Sequence, residues 1–247
     1  MPETIVCVCF ENTCRSPMLA AILQEALGEE YRCISAGADY SKTSPLVHKN
    51  AYAALDAIKC GTVADPNTKP VTEEMVEDAS LVVCLGREVR QQVIDRFTDE
   101  ELVDFSTGKS AGTTHDADDK IVLFAPGMDK FYDPYDYDGF TTQERSKYGF
   151  AEITSAERDI KAYVYAAMKM RDEFMLKFLA EHFPDKLEAW KERVEAWRPA
   201  REAMLKAWEE AAIQQKSSAA PSFTIKSDKP TLATELAATD QQGLKKG

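Results

Sequence analysis

Short apolar runs alternate with longer amphipathic segments over the first half of the chain. The apolar runs have the length of buried strands and cover residues 5–8, 31–35, 81–84 and 120–124. Between them, apolar residues at helical spacing predict helices over residues 17–27, 45–58 and 88–97, and a further helix with Thr72 as its cap. Strands that alternate with helices are typical of α/β proteins. We therefore predict a three-layer sandwich in which helices flank a central parallel sheet, followed by a helical C-terminal extension.

The carboxy-terminal part of the chain carries two amphipathic stripes and then loses its periodicity. Residues 155–182 have the pattern of one long helix. A second stripe occupies heptad a and d positions and comprises Leu187, Trp190, Val194, Trp197, Met204, Trp208 and Ala211. Arg201 fills the remaining position of that stripe, and we expect Pro199 to kink or split the helix. Residues 216–247 are rich in Ser, Thr, Ala, Lys and Pro and are interpreted as a disordered tail.

These patterns divide the chain into a domain over residues 1–184, a helical extension over 185–215 and the tail over 216–247. The apolar stripe of residues 187–211 must be covered by something, because exposed apolar surface is unfavourable in water. It either packs against the domain or mediates contact with a partner or with a second copy of the chain. The pattern alone leaves both alternatives open.

Composition and charge narrow the classes of function. A length of 247 residues suits one full-sized domain with an appendage. The net charge of −12 argues against binding to nucleic acid or to an anionic membrane surface. No apolar run approaches the roughly 20 residues of a membrane span. The six cysteines all lie within the first 84 residues and show no regular framework, which is typical of reduced thiols and predicts a cytoplasmic protein.

The segment that joins the first strand to the first helix carries the strongest chemical signal. Cys9 ends the strand, five residues separate it from Arg15, and Ser16 and Pro17 open the helix. Backbone N–H groups of such a loop and the helix N-terminus favour an anion, and a guanidinium can hold two phosphate oxygens. A cysteine in that positive field is expected to be a thiolate near neutral pH, and Ser16 can donate a hydrogen bond to it. The segment therefore predicts attack of sulfur on a phosphoryl group.

This segment resembles the phosphate loop of the low-molecular-weight protein tyrosine phosphatases, including the Asn-x-Cys-Arg-Ser-Pro-Met core at residues 12–18. Residues 34–37, 81–84 and 133–135 are similar to further stretches of that family in the expected order. The resemblance covers roughly residues 4–182. It implies hydrolysis of phosphotyrosine in phosphorylated proteins, and of small aryl phosphates, through a cysteinyl phosphate and without a cofactor or metal.

The resemblance also implies roles for single residues. Cys9 would be the nucleophile, Arg15 would hold the phosphate, and Asp133 would act first as general acid and then as base. The loop that binds the substrate would comprise Phe10, Glu11, Asn12, Thr13, Cys14 and Ser16, with Tyr135 as a wall of the pocket. Asn12 would hold the shape of the loop by bonding within it and to Ser35, and Cys14 would trap an oxidised Cys9 as a reversible disulfide.

Four departures and ambiguities leave other interpretations open. Glu11 stands where the family usually has glycine, and Leu85-Gly86 replaces the usual Met-Asp, so a pseudophosphatase that only captures phosphorylated partners remains possible. Thr13 is the residue type found in family members that remove phosphate from arginine. Asp129 or Asp136 could take the place of Asp133 as the acid. Arsenate reduction would need a second resolving cysteine after Cys84, and the segment that follows has none.

Overall fold

The computed structural model describes residues 2–39, 44–97, 103–104, 109–110, 119–134, 137, 139–150 and 159–218. Its strands are β1 (Glu3–Cys9), β2 (Tyr31–Gly37), β3 (Ala79–Cys84), β4 (Val103–Asp104), β5 (Lys109–Ser110) and β6 (Ile121–Leu123). Its helices are α1 (Arg15–Leu27), α2 (Lys49–Ala57), α3 (Glu73–Asp78), α4 (Arg87–Phe97), α5 (Thr142–Tyr148), α6 (Ile160–Lys169), a π-helical turn (Met170–Phe174), α7 (Met175–His182) and α8 (Leu187–Ser218).

A parallel sheet with the strand order β2-β1-β3-β6 forms the centre of the molecule. Val6 of β1 pairs with Ile34 of β2 on one side and with Val82 of β3 on the other. Alternate residues of β1 enter different cores: Ile5 and Cys7 belong to one cluster of buried side chains and Val6 to the other. Because both faces of the sheet are covered, the predicted three-layer α/β architecture is confirmed. The strands β4 and β5 form a separate antiparallel pair.

Helix α2 begins later than the sequence pattern predicts. The predicted start is residue 45, but His48 has extended backbone angles and Val47 donates a backbone hydrogen bond to the carbonyl of Pro66. The helix begins at Lys49, because the imidazole of His48 accepts a hydrogen bond from the amide of Asn50 and so caps the first turn. The local pattern alone assigns Val47 to the helix, but its backbone pairs with a distant segment of the chain instead.

Helix α8 follows the predicted heptad stripe but is not split at Pro199. The helix is continuous from Leu187 to Ser218, with Pro199 inside it, and so runs beyond residue 215. A proline inside a helix costs about 3 kcal/mol because it lacks an N–H and its ring crowds the preceding turn. Side chains on both sides of it are packed on the domain, including Trp197 before it and Ala212 after it, and this burial holds the two halves in one helix.

The apolar stripe of α8 lies against the rest of the chain. Trp190, Val194 and Trp197 are buried, and Trp190 donates a hydrogen bond from its indole N–H to the carbonyl of Arg171 at 3.0 Å. The rest of the chain therefore covers the first half of the stripe, whereas Met204, Trp208 and Ala211 in its second half are half-buried. Residues 219–247, where most of the predicted tail lies, are outside the described residues. Within the described part of the chain, no helix has the length and apolarity needed to cross a membrane.

Candidate active site

A cavity of about 380 Å³ opens where the carboxyl ends of β1 and β3 meet the loops that follow them. Ligands of parallel sheets commonly bind at this edge. Among the predicted site residues, the cavity brings together Cys9, Phe10, Glu11, Thr13, Cys14, Arg15 and Asp133. Its lining also includes Asp129, the alternative acid, and Leu85-Gly86, the departure noted in the sequence. Glu88, Val89 and Lys130 complete the lining and were not predicted from the sequence.

The loop after β1 is held against the end of β2. The amide of Ala38 donates to the carbonyl of Cys9, and the amide of Asp39 donates to the carbonyl of Phe10, both at 2.9 Å. Gly37 lies directly under the loop, since an added Cβ atom would be 3.0 Å from the carbonyl carbon of Glu11. The sequence pattern marks Gly37 as part of a turn, but only the structure shows that the loop rests on it.

Asn12 organises the inside of the loop. It is fully buried, has a φ of 61°, and donates from Nδ2 to Oγ of Ser16 at 3.1 Å. Its Oδ1 accepts a hydrogen bond from the backbone amide of Lys69 at 2.9 Å. The predicted bond to Ser35 is not among the bonds of Asn12: neighbouring residues of β2 face opposite sides, and the Ser35 side chain lines a separate cleft beside Gln24. The positive φ falls on Asn12 and not on Glu11.

Ser16 lies between the sulfur of Cys9 and the strand β2. Its Oγ is 3.0 Å from Sγ of Cys9 and 3.1 Å from the carbonyl oxygen of Ala36, and the side chain is fully buried. A hydroxyl has one proton, so Ser16 donates to only one of these two acceptors at a time. The geometry allows Ser16 to donate to Cys9 when the sulfur carries a negative charge, because hydrogen bonds to ionised acceptors are the stronger ones.

Arg15 joins the loop to the segment that carries the candidate acid. Its guanidinium lies 2.6 Å from Oδ2 of Asp133, with both side chains largely buried, and it donates to the carbonyl of Phe131 at 3.4 Å. Asp129 lies at the rim, where it is 85% exposed and paired with Arg87 at 3.4 Å. Asp133 lines the cavity and is largely buried, so its position suits a proton donor better than that of the exposed Asp129. Asp136 and Tyr135 are outside the described residues.

The remaining cysteines are buried thiols. Burial raises the pKa of Cys33, Cys60 and Cys84 to about 12, and it raises the pKa of Cys7 well above the usual value. Cys14 lines the cavity, and its pKa is also raised well above the usual value, by burial first and then by the charge of Asp133. Among the described residues, no group of three or more His, Cys, Asp or Glu side chains could hold a metal ion.

The sequence of this chain matches the model of a known protein family. The model of the family described as low molecular weight phosphotyrosine protein phosphatase matches residues 4–118. The predicted family resemblance is confirmed over these residues, whereas the prediction extended it to residue 182. The matched stretch contains Cys9, Arg15 and the strands β1 to β3, whereas Asp133 and α8 lie beyond it. A search of curated proteins finds no match.

Solved structures of phosphatases resemble the chain at low identity. A low molecular weight protein tyrosine phosphatase from T. tengcongensis has 20% identity and a TM-score of 0.49, with 72% of this chain and 99% of that chain covered. The YwlE arginine phosphatase from Geobacillus stearothermophilus has 17% identity and a TM-score of 0.44, with 73% and 97% covered. At these identities and scores, neither likeness indicates which phosphoester or phosphoamide the chain would take.

Proposed function

We propose that this protein is a phosphatase that hydrolyses phosphotyrosine in proteins, and small aryl phosphates, through a cysteinyl-phosphate intermediate on Cys9. The observation that carries the proposal is the convergence of three groups in one cavity. The sulfur of Cys9 is within hydrogen-bond distance of Ser16, and the guanidinium of Arg15 reaches the carboxyl group of Asp133. A nucleophile, an anion-binding group and a proton donor are what phosphoryl transfer without a metal requires.

In the first step, the thiolate of Cys9 attacks phosphorus in line with the leaving oxygen. The P–O bond breaks, and the proton of the Asp133 carboxyl group passes to that oxygen. Arg15 and the amides of the loop hold the three equatorial oxygens, where negative charge is spread in the transition state. The phosphate also competes with Asp133 for Arg15. Because an adjacent guanidinium stabilises the ionised carboxylate, loss of this ion pair favours the protonated form that the step needs.

In the second step, water attacks the phosphorus of the cysteinyl phosphate. Asp133, now ionised, accepts a proton from the water, and the S–P bond breaks to release inorganic phosphate. Ser16 donates a hydrogen bond to the departing sulfur, since its Oγ already lies 3.0 Å from Sγ of Cys9. The net reaction consumes one water molecule and returns both Cys9 and Asp133 to their starting states.

Turnover of p-nitrophenyl phosphate and of a phosphotyrosine peptide tests the proposal. We expect Cys9→Ser to abolish turnover and Asp133→Asn to lower kcat on the order of a hundredfold, since general acids contribute about 10²–10⁴-fold. Cys33→Ser is the matched control, because Cys33 is a buried cysteine that does not line the cavity. Phosphate binding without any turnover by the natural protein would contradict the proposal and favour a pseudophosphatase that captures phosphorylated partners.

A second candidate substrate is phosphoarginine. Thr13 lines the cavity, and its small polar side chain leaves room for a guanidinium leaving group. Glu11 and Glu88 also line the cavity and would attract that positively charged group. Comparing kcat/KM on phosphotyrosine and phosphoarginine peptides, before and after Thr13→Ile, decides between the two. A natural protein that prefers the phosphoarginine peptide, and loses that preference in Thr13→Ile, would replace the first proposal with the second.

A further inference from the structure

The second half of α8 is joined to the end of α5. Gly149, which follows α5 with a φ of 61°, is so close to α8 that an added Cβ atom would lie 2.8 Å from Cβ of Ala212. One turn further along α8, Lys216 donates from Nζ to the backbone oxygen and to Oγ of Ser146, at 3.1 and 2.9 Å. The extension therefore contacts α5 by close backbone packing and by direct hydrogen bonds.

Trp208 connects this contact to the aromatic core. Its ring meets those of Tyr148 and Phe150 edge to face, with centroids 6.4 and 6.3 Å apart. Tyr148 and Phe150 in turn pack on the ring of Tyr165, with centroids 5.4 and 5.6 Å apart. Edge-to-face pairs of this kind are favourable because the positive edge of one ring meets the negative face of the other. Trp208 thus holds the end of α5 against α6, the helix that carries Tyr165.

Glu144 of α5 links this helix to the segment that carries the candidate acid, Asp133. Its Oε1 accepts hydrogen bonds from the hydroxyl groups of Tyr165 at 2.6 Å and of Tyr132 at 3.2 Å. Burial, and then the neighbouring Glu144 carboxylate, raises the pKa of both phenols, so both remain donors at neutral pH. Tyr132 is buried and immediately precedes Asp133 in the chain. The backbone at Asp133 is therefore anchored through its neighbour to α5.

This anchor matters most when substrate is bound. In the structure, the Asp133 carboxylate is held by Arg15 at 2.6 Å. A bound phosphate takes over the guanidinium, so Asp133 must then be kept beside the leaving oxygen by its backbone. We propose that the second half of α8 positions Asp133 for proton transfer by holding α5, with Trp208 as the positioning residue. This inference rests on the proposed phosphatase function.

The proposal predicts a change in leaving-group dependence. Phenoxide is a much stronger base than p-nitrophenoxide, so phenyl phosphate needs the proton from Asp133 far more than p-nitrophenyl phosphate does. In Trp208→Ala we expect the ratio of kcat/KM on phenyl phosphate to that on p-nitrophenyl phosphate to fall about tenfold, a small part of what a general acid contributes. Tyr132→Phe, which keeps the ring and removes only the bond to Glu144, should lower the same ratio.

Trp197→Ala is the matched control on the same stripe of the same helix. Trp197 is buried in the first half of α8, where the guanidinium of Arg171 lies 4.4 Å from its ring centroid. Its loss should lower the thermal unfolding midpoint and leave the ratio unchanged. Trp208→Leu replaces the alanine variant if that variant does not fold.

The outcomes separate this inference from the proposed function. Equal losses on both substrates in the Trp208 and Tyr132 variants, or no loss on either, would overturn the positioning role while the phosphatase function stands. A natural protein that turns over neither substrate would overturn the proposed function, and the positioning role with it. A ratio that falls in Trp197→Ala as much as in Trp208→Ala would also overturn the inference, because the effect would then be one of general stability.

Discussion

Replacing Gly37 by alanine tests the way in which β2 supports the loop of Cys9. The added Cβ atom would lie 3.0 Å from the carbonyl carbon of Glu11, 3.1 Å from the oxygen of Phe10 and 3.2 Å from the amide nitrogen of Asn12. All three are backbone atoms, which cannot rotate away as a flexible side chain can. Gly37 itself is fixed, because its amide donates to the carbonyl of Lys69 at 2.9 Å.

The overlap must therefore be relieved by a shift of the loop by a few tenths of an ångström. Overpacking of a close-packed region costs about 1–3 kcal/mol, which should appear as a lower thermal unfolding midpoint. Misplacement of reacting groups by about 1 Å costs on the order of a hundredfold in rate, so the smaller shift at Gly37→Ala should lower kcat/KM roughly tenfold.

The assay is turnover of p-nitrophenyl phosphate, with competitive inhibition by inorganic phosphate as a measure of the anion site. Gly127→Ala is the matched control, since a Cβ atom there has no neighbour within 4 Å. We expect the control to behave as the natural protein, and Gly37→Ala to bind phosphate more weakly. Unchanged kcat/KM together with unchanged phosphate inhibition in Gly37→Ala would refute the close contact between loop and strand.

Three further predictions concern the thiols and their neighbour. Ser16→Ala should lower kcat/KM about tenfold to a hundredfold, because a hydrogen bond to a charged partner contributes about 1.5–3 kcal/mol; a loss below twofold would exclude that bond from catalysis. Iodoacetamide at pH 7 should modify Cys9 and not Cys14, because the raised pKa of Cys14 keeps that thiol protonated. Mass spectrometry should detect labelled Cys14 only at higher pH. After brief treatment with peroxide, dithiothreitol should restore activity to the natural protein but not to Cys14→Ser, and equal recovery of both would remove Cys14 as the trapping thiol.

The part of the site that is contiguous in the chain could be predicted from the sequence. Cys9, Arg15 and Ser16 belong to one strand-loop-helix segment, so local rules for strands, helix starts and anion loops place them together. Partners from distant segments could not be predicted in this way. The amide of Lys69, which binds Asn12, is 57 residues away along the chain, and nothing local to either residue marks that contact.

The same division holds for the C-terminal extension. Heptad spacing was sufficient to predict a helix with one apolar face, because periodicity depends only on the rise and rotation of the backbone. The heptad spacing could not specify what covers that face, because the hydrophobic effect is non-directional and burial against any apolar surface is favourable. The tertiary structure decided that the segment around Arg171 covers the first half of that face and that α5 contacts the second half. It also decided that Pro199 lies within an unbroken helix. Periodicity describes one segment at a time, whereas packing depends on which segments the whole chain brings together.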